Sequence, residues 1–191
     1  ELAFYLCTSL TAIEVGANNQ NYLSENGVLF NKDKTLIVAY SVGKTESTYI
    51  IPDSVISIAN GAFGFSGLSS ITIPDSVTSI GDYAFDRCTS LTSITIPDSV
   101  TIIGAQAFYK CRSLTSITIP DSVTSIGEVA FYKCTSLTSI IYSGSIAPSL
   151  GTEVFEVINS EATFTAPTGA TGYGATFGGV KVKDTTAPVI A

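Results

Sequence analysis

The chain has 191 residues, with 9 Lys and Arg against 16 Asp and Glu, a formal charge of −7, and no His, Met or Trp. That acidic balance, with no Lys/Arg cluster along the sequence, argues against nucleic acid as a partner, and the absence of an apolar run of about 20 residues argues against membrane insertion in this fragment. Without His, the commonest base at neutral pH is missing, and with it every Ser-His or Cys-His pair. A catalytic reading is therefore the weakest of the functional alternatives, and no catalytic residue and no cofactor is expected.

In chain order, Ala3-Phe-Tyr-Leu-Cys-Thr-Ser-Leu10 is the first piece of a pattern that returns four times downstream. The chain thus opens within a repeat and without Met, so a natural start further upstream is expected. Residues 16–49 interrupt the pattern. In them, Asn26-Gly27 and the polar run Asn31 to Thr35 are turn signals around expected strands at Val28–Phe30 and Leu36–Tyr40.

From Ile51 the pattern is regular. Ile73-Pro-Asp-Ser-Val-Thr-Ser-Ile80, Ile96-Pro-Asp-Ser-Val-Thr-Ile-Ile103 and Ile119-Pro-Asp-Ser-Val-Thr-Ser-Ile126 recur at a step of 23 residues, and Ile51-Pro-Asp-Ser-Val-Ile-Ser-Ile58 falls one residue short of it. A period of this length means a solenoid, because a unit so small cannot bury its own apolar face and must stack on its neighbours. Within Leu91–Ser113, Leu91-x-x-Ile94-x-Ile96 alternates as a strand does. Pro97 ends that strand because it has no N–H to give. Asp98-Ser99 is turn chemistry, and Val100 to Ile103 is a second extended piece. Gly104, with Gly81 and Gly127 in register, is expected to supply a positive φ, and the Ala-Phe-x-x-Cys that follows has helical or 3₁₀ spacing.

Stacking turns identical positions into files. Phe63, Phe85, Phe108 and Phe131 are expected to form an aromatic spine, extended by Phe4 below and Phe155 above, with Leu68, Leu91, Leu114 and Leu137 in a parallel file. Cys7, Cys88, Cys111 and Cys134 fall at one point of successive units. Such a file cannot surround a zinc ion tetrahedrally and suits a disulfide poorly, so these are expected to be free, buried thiols. Asp53, Asp75, Asp98 and Asp121 form a charged file for which a cation site is the alternative to turn residues that bond nearby N–H groups.

Two outward files are candidate partner-facing surfaces. Ser70, Thr72, Ser93, Thr95, Ser116 and Thr118 make a flat, hydroxyl-rich strand face, with Glu14, Ile50 and Ile141 at the equivalent points of its ends. It carries no Trp, Tyr or Arg anchor of the kind that concentrates interface energy, so a neutral spacer surface is the competing reading. Tyr109 and Tyr132, with Tyr5 and with Lys110 and Lys133, follow the spine laterally, either to anchor a partner or to shield the spine. Segments 16–49 and 143–180 break the repeat and are where a specific contact is expected first.

The unit Leu-x-x-Ile-x-Ile-Pro-x-Ser-Val-x-x-Ile-Gly-x-x-Ala-Phe-x-x-Cys-x-x-Leu, carried over residues 1–15 and 49–142, resembles the BspA-like leucine-rich repeat of bacterial and some protozoan surface proteins. Asn21 to Tyr40 is similar to the hairpin module those proteins insert between units. The resemblance implies a leucine-rich-repeat solenoid, mainly β with short helical or 3₁₀ turns, forming a right-handed superhelix with a parallel concave sheet. It also implies an extracellular or cell-surface location and adhesion to a protein or glycan on host or neighbouring cells; a structural spacer presenting another domain is the alternative. The repeat domain is expected over 1–180, with the insertion at 16–49 and a C-terminal cap at 143–180. In that cap Val154-Phe155-x-x-Ile158 keeps a trace of the repeat and Ala162 to Pro167 is a last strand. Residues 181–191 are expected to be a linker or the start of an immunoglobulin-like module, which the run Lys183 to Ile190 resembles.

Overall fold

A computed structural model describes residues 2–173 and 176–183. Each repeat makes one turn of a three-sided coil. The first side is a parallel sheet of strands β4 (Thr48–Ile50), β6 (Ser70–Thr72), β8 (Ser93–Ile94), β10 (Ser116–Ile119), β12 (Ser139–Tyr142), β14 (Thr163–Thr165) and β16 (Val180–Lys183). The gap between β8 and β10 is closed by a parallel bridge from Thr95 to Thr118. Along these strands Ile71, Ile94, Ile117 and Ile140 point inward and the intervening Ser and Thr residues outward, the two-residue alternation the sequence predicts, with Ile50 and Ile141 taking outward positions at the ends. The register pairs like with like, Ser70 on Ser93 and Ile71 on Ile94, so the 23-residue step becomes one strand spacing, about 4.8 Å.

The second side is also parallel, from β3 (Leu36–Ala39) through β5 (Ser57–Ile58), β7 (Ser79–Ile80), β9 (Ile102–Ile103) and β11 (Ser125–Ile126) to β13 (Ser149–Leu150). Here the insertion joins the coil. Its β1 (Tyr22–Glu25) and β2 (Val28–Asn31) form an antiparallel meander with β3, and β3 then pairs in parallel with β5. Asn26 and Gly27, at φ 50° and 76°, make the tight turn between β1 and β2. Strand β1 had no expected counterpart, because its residues Tyr-Leu-Ser-Glu lack a buried alternation.

The third side departs from expectation. No helix occurs among the described residues, and Ala-Phe-x-x-Cys is a run of turns. Alternate N–H groups fold back three residues, as Asp86 N–H does to Tyr83 O and Cys88 N–H to Phe85 O. The others leave the rung: Tyr83, Phe85 and Arg87 donate to Ala105, Ala107 and Tyr109 O at 2.9, 2.8 and 2.7 Å. Donors spent on the neighbouring rung cannot serve a helix, so the spacing mimics one without forming it. The positive φ expected of the rung glycines falls instead on non-glycine residues, Tyr83, Gln106, Val129 and Glu153, and again four residues later at Arg87, Lys110, Lys133 and Val157. Gly81, Gly104, Gly127 and Gly151 are needed for closeness: a Cβ on Gly127 would lie 2.3 Å from Ala105 N of the rung below.

The core follows the files. Phe63, Phe85, Phe108, Phe131 and Phe155 stack with centroids 5.1–5.3 Å apart and ring planes within 14°. Phe155 therefore extends the spine as expected, but Phe4 does not. Tyr40 of the insertion stacks on Phe63 at 5.4 Å instead, and Phe4 lies exposed in an N-terminal segment that packs laterally. At the other end Phe164, Tyr173 and Phe177 close the core with centroid separations of 4.5–5.5 Å. The β15 (Thr176–Phe177) and β16 hairpin carries the first sheet on to Lys183. The run 184–191, where most of the immunoglobulin-like resemblance falls, lies outside the described residues.

Side chains also hold the rungs together. Ser76, Ser99 and Ser122 of the Pro-Asp-Ser-Val turns donate to Val55, Val77 and Val100 O one rung away, at 2.6–2.7 Å. Cys88, Cys111 and Cys134 are fully buried free thiols that donate to Phe63, Phe85 and Phe108 O at 3.1–3.2 Å. Burial raises the pKa of all three, to about 12 for Cys88 and Cys134. Cys7, expected in the same buried file, is exposed, because its segment never enters the stack.

Candidate functional site

On the outward face of the first sheet, Thr72, Ser93, Thr95, Ser116 and Thr118 are exposed and Ser70 is half-buried. Register places Ser93 beside Ser70 and Thr118 beside Thr95. A neighbouring row of hydroxyls is already engaged: Thr92, Thr115 and Thr138 donate to Ser69, Thr92 and Thr115 O at 3.2–3.5 Å. By contrast Ser70, Thr72, Ser93, Thr95, Ser116 and Thr118 make no side-chain hydrogen bond within the described protein. Their donors and acceptors are free for a ligand. The array ends on exposed apolar side chains, Ile50 beside Thr72 and Ile141 beside Thr118. Glu14, expected to extend this face, lies away from it against the insertion.

The second file is ordered by stacking. Tyr109 and Tyr132 lie parallel within 5° at 5.5 Å, each half-buried, with Lys110 and Lys133 Nζ 4.8 and 5.1 Å from the ring of the preceding tyrosine. Tyr5 is not the next member of this file. Its ring lies across Gly64, where any Cβ would meet it, and edge-on to Phe65 at 5.3 Å. Its hydroxyl donates to the buried carboxylate of Asp86, whose pKa is raised by burial against the opposing effects of Tyr5, Arg87 and Lys110. This contact spans 81 residues, and no local pattern announces it.

The Asp53, Asp75, Asp98 and Asp121 carboxylates are all exposed, and the hydrogen bonding of their turns is done by the adjoining serines. Among the described residues no three potential metal ligands converge. No described helix is long and apolar enough to cross a membrane.

The insertion also walls a concavity. A cavity of about 520 Å³ opens between the N-terminal segment and β1–β3, lined on its apolar side by Leu2, Phe4, Ile13, Val15, Tyr22 and Leu29. Of these, Leu2, Phe4 and Tyr22 are exposed. Sequence reasoning pointed to segment 16–49 but missed the N-terminal wall, for which the only signal was a repeat fragment whose strand half is followed by no Pro-Asp-Ser-Val.

The BspA type leucine-rich repeat region matches residues 37–174 in six copies. No protein of curated function matches the chain. Among solved structures, the pneumococcal vaccine antigen PcpA is 27% identical with a TM-score of 0.78, over 92% of this chain and 45% of that one. A leucine-rich cell surface protein of Faecalibacterium prausnitzii is 28% identical with a TM-score of 0.70, over 78% of this chain and 43% of its own. A leucine-rich repeat protein of T. pallidum is 28% identical with a TM-score of 0.61, over 81% and 72%. The chain thus spans less than half the length of the first two.

Proposed function

Because the chain belongs to the BspA-type leucine-rich repeat family, we propose that it is a non-catalytic adhesion module, extracellular or on the cell surface. Its partner is a protein or glycan on host or neighbouring cells, held on the hydroxyl face of the first sheet and on the adjoining insertion. The observation that carries this reading is the array of Ser93, Thr95, Ser116 and Thr118, exposed and without protein partners while the adjacent threonine row is spent on the fold. Rigid hydroxyls at rung spacing offer paired donors and acceptors to sugar hydroxyls or to a peptide backbone without an ordering cost. The cell-surface description of the Faecalibacterium relative supports the location.

A structural spacer is the second reading, favoured by the absence of aromatic or Arg anchors on the central face. Presenting the chain to an array of matrix proteins and glycans separates the two. Adhesion requires saturable binding that T95E/T118E or a substitution at Tyr22 weakens at unchanged circular dichroism. Binding to nothing on the array would leave the spacer reading in its place.

A further inference from the structure

Four of the nine basic residues, Arg87, Lys110, Arg112 and Lys133, are the only ones between positions 45 and 180. The sequence scatters them, but the coil gathers three, Arg87, Lys110 and Lys133, on one edge. Backbone N–H groups of Arg87 and Lys110 donate to Tyr109 and Tyr132 O, fixing Arg87, Lys110 and Lys133 on consecutive rungs. These three share one backbone conformation, φ 54°, 58° and 59°. Each charge lies over an aromatic ring: Arg87 over Phe65 at 5.3 Å, Lys110 over Tyr109 at 4.8 Å and Lys133 over Tyr132 at 5.1 Å. Such contacts hold flexible cations in place before any ligand arrives. Lys110 and Lys133 form no ion pair among the described residues, and the one carboxylate beside Arg87, Asp86, is buried and engaged by Tyr5.

We propose that this edge is a docking strip for a linear anionic polysaccharide, sulfated or uronic, lying along the coil axis. It rests on the proposed adhesion role but uses a different surface from the hydroxyl face. The three backbone positions follow at the rung step and span about 10 Å, with the Lys110 and Lys133 charges over equivalent rings of adjacent rungs. The Tyr109 and Tyr132 hydroxyls between them, without partners in the described protein, suit the neutral hydroxyls of a sugar chain. An extended acidic peptide fits less well, since its same-side carboxylates recur every ~6.7 Å, out of step with the rungs.

The test uses the whole chain on immobilised heparin at low salt, with dextran, desulfated heparin and poly-glutamate as competitors. The variant R87N/K110N/K133N removes the charges while giving each left-handed position a residue that tolerates it, so the fold is retained. The strip predicts saturable binding that falls with salt, competition by neither dextran nor poly-glutamate, and a loss of roughly tenfold or more in the triple variant as its contacts to bound anions disappear. The variant T95E/T118E should bind heparin as the parent does, which keeps this result separate from a failure of the hydroxyl face. No retention of the parent at low salt, retention of the triple variant within about twofold, or equal competition by poly-glutamate would each overturn the proposal.

Discussion

Replacing Gly127 by Ala adds a single methyl group, and the geometry of the coil makes that methyl expensive. An ideal Cβ there meets Ala105 N at 2.3 Å, Gly104 C at 2.6 Å and Ala105 Cα at 2.7 Å, all backbone atoms that no rotamer change can move. Ordinary contact begins at 3.4 Å, so the corner must open by 1.1 Å (3.4 − 2.3). Two inter-rung bonds cross that corner, Gly127 N–H to Ile103 O at 2.8 Å and Gln106 N–H to Glu128 O at 2.9 Å. Weakening them costs about 1 kcal/mol each, and residual overpacking adds about 1–3 kcal/mol. The total expected loss is about 3–5 kcal/mol. Gly67→Ala is the matched control, since nothing lies within 4 Å of its Cβ and its φ is not positive. There the smaller entropy of the unfolded chain should leave stability unchanged or raise it by up to about 1 kcal/mol. Urea unfolding followed by far-ultraviolet circular dichroism compares the two. A midpoint for Gly127→Ala equal to or above that of Gly67→Ala would refute the claim that glycine is there for close approach.

Three further outcomes follow from other parts of the fold. A thiol reagent at neutral pH should modify Cys7 alone, with Cys88, Cys111 and Cys134 reacting only on unfolding, because they are buried and their thiolates are suppressed; fast reaction of all four in native buffer would contradict this. Asp86 binds its proton more tightly folded than unfolded. Its contribution therefore favours the folded chain at low pH and is lost as pH rises from the unfolded carboxylate pKa through the raised folded one, so Asp86→Asn should flatten stability across that window. Identical pH profiles for parent and variant would count against it. Val129 carries a β-branched side chain at φ 49°, so Val129→Asn should raise the unfolding midpoint by the equivalent of about 1 kcal/mol; a lowered midpoint would show that the valine's packing outweighs its strain.

The period made the spine legible. Phe63, Phe85, Phe108, Phe131 and Phe155 carry one letter at one phase, and any in-register stack must superpose them. The outward hydroxyl array was legible for the same reason, through the alternation of Ser93, Ile94 and Thr95. What failed did so where a contact crosses between rungs. The spacing Ala84-Phe85-x-x-Cys88 gives no hint that Phe85 N–H donates to Ala107 O, and that donation replaces a helix by turns. Gly81 and Gly104 were picked out correctly but for the wrong cause, because a single repeat cannot show how near its neighbour lies. Phe4 and Cys7 match the repeat letter for letter, yet Tyr40 from the aperiodic insertion takes the place on Phe63 that Phe4 would have filled. The basic strip was invisible because Arg87, Lys110 and Lys133 stand 23 residues apart and become neighbours only when the coil closes.

The in-register stack on which every file depends is most directly tested by pyrene labels at Thr101→Cys and Thr124→Cys in a Cys7→Ser background. Both sites are exposed, on adjacent rungs joined by the Thr124 hydroxyl's bond to Thr101 O at 3.3 Å. The buried thiols stay unlabelled. Rings one rung apart must give strong excimer emission that vanishes in urea. Monomer emission alone from the folded, doubly labelled chain would contradict the stack.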